Sequence, residues 1–261
     1  MSLRVHILLA VAVLTGFPLN ADAGILLGTA GDFSVLAGTT VTNTGPSLID
    51  GGHLGVSPGT AITGFPPGMI MPPYTQHSAD AVALQAQTDL TTAYNTAAGL
   101  AFTQDLTGQD LGGLTLLPGV YSFSSSAQLT GTLTLDALGD PNAQFVFQIG
   151  STLMTASNSS VVTINGGSMP GCSTFWQVGS SATLGAGTDF QGHMLALTSI
   201  TMNTGSNILY GSALARNGAV TLDDNNITSC TIIPEPGMLA LGLFGGVLIT
   251  LRRSRIGKSV A

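Results

Sequence analysis

Polar-then-apolar residue pairs recur down the second half of the chain at a regular spacing. The pairs are Thr115-Leu116, Thr134-Leu135, Thr152-Leu153, Thr183-Leu184, Thr201-Met202 and Thr221-Leu222, at intervals of 19, 18, 31, 18 and 20 residues. Intervals near 20 residues are typical of solenoid coils. Because neighbouring side chains on a strand point to opposite faces, each threonine is predicted outward and each leucine inward. Stacked parallel coils would therefore carry a file of threonines on one outer wall.

A single long α-helix is predicted over about residues 78–98. Ser78 is a suitable N-cap, Asp80 lies in the first turn, and Gly99 supplies the stop. Alanines and larger apolar residues recur between them at spacings of three and four, which makes one apolar stripe. The stripe must be buried, so we expect the helix to pack alongside the stacked coils.

Processing signals are predicted at both ends of the chain. Residues 1–23 combine Arg4, an apolar run and Ala21-Asp22-Ala23, which is typical of a secretory signal peptide. Residues 234–261 begin with Pro234-Glu235-Pro236, continue with an apolar segment at 238–251 and end in an arginine cluster that includes Arg252 and Arg253. This segment is short for a spanning helix.

The C-terminal tail resembles the PEP-CTERM sorting signal of Gram-negative bacteria. The resemblance implies transient membrane contact, cleavage by a sorting protease of the exosortase type, and a final location outside the cell or on its outer surface. A permanent membrane anchor is the alternative. Residues 24–233 then form the mature domain.

The mature domain is almost free of cations. Of the 6 Lys and Arg residues in the chain only Arg216 lies there, against 11 Asp and no Glu, so the net charge is 1 − 11 = −10. A surface without cations cannot neutralise phosphates, which excludes nucleic acid as a partner. Apolar stacking and backbone hydrogen bonds must hold the domain together.

Both cysteines, Cys172 and Cys230, belong to the exported part. In an oxidising compartment we expect a disulfide, with two free thiols as the alternative.

Catalytic and metal-binding patterns are weak. Asp223-Asp224 are the only adjacent acids of the mature domain. Neighbouring side chains on a strand point to opposite faces, so the two carboxylates would not converge on one substrate. His53, His77 and His193 are far apart in sequence, which favours surface or packing roles. We therefore predict no enzyme activity, no metal and no cofactor.

Five longer motifs together resemble the large microbial ice-binding (antifreeze) protein family. They are Gly28-Thr29-Ala30-Gly31-Asp32-Phe33, Leu54-Gly55-Val56-Ser57-Pro58-Gly59, Pro118-Gly119-Val120-Tyr121, the run from Phe175 to Leu184 and the run from Ala213 to Val220. The resemblance implies a mainly β fold: a right-handed parallel β-solenoid of triangular cross-section with one long α-helix packed alongside. It also implies adsorption to an ice crystal surface through a flat, threonine-rich face.

Corner motifs of the type Thr-Ala/Gly-x-Thr/Asn often mark that face in the family. Two stretches fit, starting at Thr155 and Thr204, and the stretch from Ala186 to Asp189 fits in part. Met154 and Asp223 interrupt the outward column. The candidate ice-binding residues are Thr152, Thr155, Asn158, Thr183, Thr188, Thr201, Thr204, Asn207 and Thr221.

A non-catalytic adhesin that binds glycan or other cells at the cell surface is the main alternative. Export suits both functions. A stiff, uncharged threonine array favours ice binding, because ions impose their own geometry on water. Outward threonines are also common on solvated strands without any binding role, because threonine has a high β propensity.

Overall fold

The computed structural model describes residues 24–167 and 170–230. The predicted signal peptide and the sorting tail, with Pro234, Glu235, Pro236, Arg252 and Arg253, lie outside the described residues. The described part is mainly β, built from parallel strands with one α-helix, Ala81–Gly99, and two 3₁₀ turns at Gly28–Asp32 and Pro170–Ser173. Successive coils place their strands in three parallel ladders.

The helix-side ladder lies beneath the α-helix. In spatial order its strands are Gln104–Asp105, Gly119–Phe123, Phe145–Ile149, Thr174–Val178, Asp189–Ala196, Asn207–Ala215, Phe33–Ala37, His53–Val56 and Gln76–Ser78.

The threonine ladder forms a separate seven-stranded sheet. Its strands are Ala127–Leu129, Leu153–Thr155, Ala182–Leu184, Ile200–Met202, Val220–Asp223, Thr40–Thr44 and Ala61–Thr63.

The mixed ladder, named for its varied outward side chains, completes each coil. Its strands are Thr115–Leu116, Thr132–Asp136, Ser160–Ile164, Asp189–Ala196, Asn207–Ala215, Asn226–Thr228, Leu48–Asp50 and Met69–Ile70. The two long strands bend from the mixed ladder into the helix-side ladder. Gly192 allows one bend, because it has a φ of +103° and a Cβ there would lie 2.6 Å from the Thr174 carbonyl oxygen.

The spatial order of the coils differs from their order in the chain. The last coil of the chain stacks directly on the first, since Val35 pairs with Ala213 and Val41 with Val220. The N-terminal coils therefore extend the stack beyond the C-terminal coil. The chain must then return to the other end of the stack to begin the coil near Gln104.

The α-helix makes that return along the helix-side ladder. Nineteen residues span about 28 Å, and nine strands span about 38 Å, so the helix and its short links match the stack. Its buried residues Ala86, Leu90 and Ala93 pack against Leu36, Val146 and other outward residues of the ladder.

Polar contacts fix the helix in position. The Thr29 hydroxyl and amide donate to the Asp89 carboxylate at 2.7 and 2.8 Å and hold the pKa of Asp89 below its usual value. Gln177 donates to the Tyr94 hydroxyl at 2.8 Å, and the Arg216 guanidinium lies 4.6 Å from the centre of the Tyr94 ring. Arg216, the only Lys or Arg in the part of the chain that the structure describes, thus helps to dock the helix.

The helix begins three residues later than the sequence predicted. Ser78 still belongs to a strand, and its hydroxyl donates to the Thr60 carbonyl at 2.8 Å, so it cannot cap the helix. Asp80 is the N-cap, because its carboxylate accepts from the Ala83 amide at 2.9 Å.

The interior between the three ladders is apolar and continuous. Aromatic rings stack from coil to coil at its centre, and Phe147 lies 3.9 Å from Trp176 between ring centres. The buried Trp176 indole nitrogen donates to the Gln191 carbonyl at 3.0 Å. Within the described residues, no helix is both long and apolar enough to cross a membrane.

Candidate ligand-binding face

Five threonines stand in register on the outer side of the threonine ladder. They are Thr183, Thr201, Thr221, Thr42 and Thr63, one from each of five adjacent coils. Their inward neighbours, among them Ala182, Ile200, Val220 and Val41, are fully buried. The threonines alternate with these residues along each strand and are half-buried or exposed. We call this set the threonine row.

A second row of small residues runs beside the threonine row, two positions earlier in each coil, at the start of a strand or directly before it. The register makes this row Ser126, Thr152, Ser181, Ser199, Ala219, Thr40 and Ala61. Its hydroxyls link successive coils: Ser126 and Thr152 are 2.8 Å apart between hydroxyl oxygens, and the Ala219 amide donates to the Ser199 hydroxyl at 3.2 Å. The two rows form a grid of small, uncharged side chains.

The structure divides the predicted threonine file among three places. Thr183, Thr201 and Thr221 form part of the threonine row, whereas Thr152 lies in the second row. Thr115 and Thr134 pair with each other on the mixed ladder. The single file predicted from the Thr-Leu spacing is therefore wrong, because successive pairs do not all start at the same corner of a coil.

Two predicted face residues point inward instead. Thr155 is 7% exposed and Thr188 is fully buried, and their hydroxyl oxygens are 2.8 Å apart. Thr155 lies two residues after the buried Leu153 and so shares its inward orientation. Its hydroxyl also accepts from the Gly185 amide at 2.8 Å. These threonines hold adjacent coils together and cannot meet an external surface.

The remaining predicted residues lie at or beyond the corner next to the threonine ladder. Asn158 and Thr204 are exposed in turns, with Asn158 at a φ of +57° and Thr204 donating to the Asp223 carboxylate. Asn207 lies on the mixed ladder, where its side-chain amide donates to Asp189 at 2.9 Å. Asn207 is thus part of another wall.

A buried polar column stabilises this corner. Its members are Ser159, Thr188, Ser206, Asn225 and Ser47, one residue before five consecutive strands of the mixed ladder, and each is at most 1% exposed. The Asn225 side-chain amide donates to the carbonyls of Asn203 and Ser206 at 2.9 and 2.8 Å. Because buried polar groups with satisfied hydrogen bonds rigidify a structure, the column fixes how each coil turns away from the grid.

Sequence reasoning missed Thr42 and Thr63. Thr42 and Thr221 are 179 residues apart in the chain, yet they pair in register, and the Thr42 hydroxyl donates to that of Thr221 at 3.4 Å. The coil-like composition around Val41 was visible, but nothing local indicates that the first coil stacks on the last.

Charge is absent from both rows of the grid. Met154 and Gln128 continue the threonine row at one end and are exposed. Acids lie just outside the grid: Asp110 pairs with Gln128 past the end of the threonine row, and Asp223 pairs with Thr44 two positions beyond that row. Asp224, its neighbour, occupies a turn with a φ of +54°.

The predicted disulfide between Cys172 and Cys230 is confirmed, with the two Cα atoms 5.7 Å apart. It ties the end of the last coil to the 3₁₀ turn before Thr174. Closing a loop with a sequence separation of 58 residues stabilises the fold by about 4 kcal/mol in the chain-entropy model.

Comparison with known families gives one match. The family model described as "Ice-binding-like" matches residues 35–228, which covers nearly all of the described part of the chain. An ice-binding protein of Nostoc sp. (strain HG1) is 56% identical over 255 residues, covering 94% of this chain and 92% of the relative.

Solved structures agree with the family match. An ice-binding protein from an Antarctic biological consortium has a TM-score of 0.74 and 46% identity, covering 86% of this chain and 96% of the other. An ice-binding protein from the Antarctic ascomycete Antarctomyces psychrotrophicus has a TM-score of 0.75 and 41% identity, covering 80% of this chain and 99% of the other.

Proposed function

Because this chain belongs to the ice-binding-like family, we propose that it adsorbs to ice through the threonine ladder and so inhibits ice growth or recrystallisation. The observation that carries the choice of face is the register of Thr183, Thr201, Thr221, Thr42 and Thr63 over five adjacent coils.

The grid has spacings that suit an ordered water layer. Parallel strands repeat at about 4.8 Å, and alternate residues along a strand at about 6.6 Å, so the two rows define a two-dimensional lattice. Threonine has few rotamers, and the stacked backbone restricts its movement. Hydroxyls hold waters in place while methyl groups keep neighbouring waters ordered. Each contact is weak, and affinity comes from many contacts whose entropy is already lost on folding.

The contact surface consists of the threonine row, flanked by Thr152 and the other members of the second row. Asn158 and Thr204 border it at the corner. Thr155 and Thr188 act indirectly, because their buried hydrogen bond keeps adjacent coils in register.

The proposed cross-section of the solenoid also suits adsorption to ice. Three ladders per coil suit a right-handed solenoid of triangular cross-section, in which one side bears the grid, one bears the helix and one is the mixed ladder. Such a cross-section would make each side nearly flat, as adsorption to a crystal plane requires.

We also propose that the domain works outside the cell. Residues 1–23 have the composition of a signal peptide, and residues 234–261 that of a sorting tail cut by an exosortase-type protease. The disulfide fits an oxidising compartment. The membrane would then be a transient partner and ice the lasting one, with no catalytic step.

Growth of a single ice crystal in the purified protein tests the function directly. We expect faceting of the crystal below the melting point and arrested recrystallisation in a polycrystalline film. Bovine serum albumin at equal mass concentration is the control. Unhindered, rounded growth at high protein concentration would refute ice binding and favour a surface adhesin.

A further inference from the structure

Two histidines that are 24 residues apart in sequence meet at one end of the stack. His53 begins a strand of the helix-side ladder, and His77 lies on the next strand, where it pairs with Gly55. His53 and Gly55 are two residues apart, so both histidines project from the same face. His53 Nδ1 and His77 Nε2 are 3.3 Å apart.

The hydrogen bonds of the two rings determine where their protons lie. The Thr75 amide can only donate, and it lies 3.1 Å from His53 Nδ1, so this nitrogen is an acceptor. The Asp80 carboxylate accepts a hydrogen bond from the Nδ1–H group of His77 at 2.8 Å, so Nδ1 carries the ring proton. His77 Nε2 therefore carries a lone pair in the neutral ring. When both rings are neutral, two acceptor nitrogens therefore lie 3.3 Å apart.

This arrangement matches two ligands of one metal ion. At zinc–nitrogen distances of about 2.0–2.1 Å and a tetrahedral angle, two ligand nitrogens stand about 3.3–3.4 Å apart. The Thr75 hydroxyl oxygen completes a triangle, at 3.3 Å from His53 Nδ1 and 3.2 Å from His77 Nε2. His77 is additionally oriented by a carboxylate, as metal-ligating histidines commonly are.

The surroundings hold the rings in place and leave the site accessible. Phe33 lies 5.6 Å from each imidazole between ring centres, and Tyr74 packs edge-on against His53 at 5.4 Å. The side chain of His77 is 16% exposed, and Thr75 is exposed to solvent. Metal binding would replace the hydrogen bond that His53 Nδ1 accepts from the Thr75 amide.

We propose that His53 and His77 bind a divalent transition-metal ion with a preference for imidazole, such as Zn²⁺. No cluster of three or more His, Cys, Asp and Glu side chains in the described residues could hold a metal, so this site has two protein nitrogens. The Thr75 hydroxyl and water fill the remaining positions. Asp80 is a positioning residue, since it contacts His77 and caps the α-helix at the same time.

Metal binding would fasten the last two strands of the helix-side ladder to the start of the helix. Terminal coils have a neighbour on only one side and open first. An ion shared by His53 and His77 would add a cross-link at that end. The site is on a different ladder from the threonine grid, so it can exist whether or not the protein binds ice.

Zinc titration of protein purified without a histidine tag tests the proposal. We expect one zinc per chain by calorimetry, tighter binding of Cu²⁺ than of Zn²⁺, and no binding of Mg²⁺. At free zinc about 100 times the dissociation constant, the midpoint of thermal unfolding should rise by about 5–10 °C.

Three variants and one control assign the site. His53→Gln and His77→Gln should each weaken zinc binding at least about tenfold, and Asp80→Asn should weaken it about 10- to 100-fold while keeping a good N-cap. Gln76→Ala, on the same strand as His77, should bind zinc like the original protein. Circular dichroism without metal checks that each variant is folded. Absence of stoichiometric binding up to about 1 mM zinc, or unchanged binding after both histidines are replaced, would overturn the proposal.

Discussion

The threonine ladder and the mixed ladder are built from the same coils at the same spacing, yet only one repeats its side chains. The threonine row has one residue type over five coils. The matching row of the mixed ladder is Thr115, Thr134, Val162, Gln191, Leu209, Thr228 and Asp50. Its members vary in length, polarity and charge, so they cannot define a lattice.

The two ladders share their strand spacing and differ in the regularity of their outward side chains. Parallel stacking gives a repeat of about 4.8 Å to every ladder. The helix covers the helix-side ladder, and the outward side chains of the mixed ladder vary. The threonine ladder is therefore the one ladder of the three that presents regular side chains to solvent. We therefore attribute the proposed ice binding to regular side chains on a rigid backbone, and substitutions of equivalent residues on the two ladders can test this proposal.

The largest expected effect comes from placing the same bulky residue on each wall. Thr201→Tyr, between Thr183 and Thr221 in the threonine row, should reduce ice-growth inhibition more than about tenfold, because a protruding ring separates the surrounding threonines from the crystal. Thr134→Tyr on the mixed ladder should leave inhibition unchanged. Crystal-growth rates at matched protein concentrations measure both.

Stability must be compared for the same two variants. Both threonines project outward from strands, so each substitution should change the free energy of unfolding by less than about 1 kcal/mol. If Thr134→Tyr abolished inhibition and Thr201→Tyr did not, the mixed ladder would be the ice-binding wall.

The stacked parallel coils and the docked helix could be predicted because their patterns are local. Leu153, Leu184 and Leu222 sit where alternation predicts, and all three are buried. The apolar stripe of the helix could be predicted for the same reason, because its residues recur at local spacings of three and four. Only the cap was misplaced, because strand pairing occupies Ser78 and leaves Asp80 to accept from Ala83.

The composition of the grid could not be predicted because it depends on register between distant coils. Thr42 joins the row through pairing with Thr221, a contact that no periodicity in the chain encodes. Thr155 and Thr188 look like surface threonines in sequence, yet they form an internal hydrogen bond at a corner. A threonine motif therefore identifies a coil but not the direction in which each hydroxyl points.

A fall in pH should lower the folding stability of the domain without changing the side chains of the grid. Burial lowers the pKa of His193 to about 4, while the backbone of Cys172 opposes the shift. The unfolded chain takes up a proton at His193 below about pH 6.5 whereas the folded chain does not, so stability falls as the pH drops from 6.5 to 4. The loss is on the order of 3 kcal/mol.

Thermal unfolding from pH 7.5 to 4.5 measures this effect, with His193→Asn as the comparison. The variant should show a shallower decline, since Asn cannot take up the proton. Ice-growth inhibition per folded molecule should stay constant over the same range, because neither row of the grid contains an ionisable side chain. Inhibition that changed steeply with pH while the protein remained folded would place a titrating group in the contact surface.

The smallest expected effect is a gain from extending the threonine row by one coil. Met154 pairs with Thr183 at the end of the row and is 55% exposed, so Met154→Thr would lengthen the row from five threonines to six. Each added contact is weak, and we expect at most about a twofold increase in ice-growth inhibition. Val162→Thr, the same kind of change on the mixed ladder, should have no effect, because it would give a run of only three threonines, with Thr115 and Thr134, that ends at Gln191. Equal gains from both substitutions would mean that threonine content matters and register does not, which would remove the basis for choosing one ladder over the other.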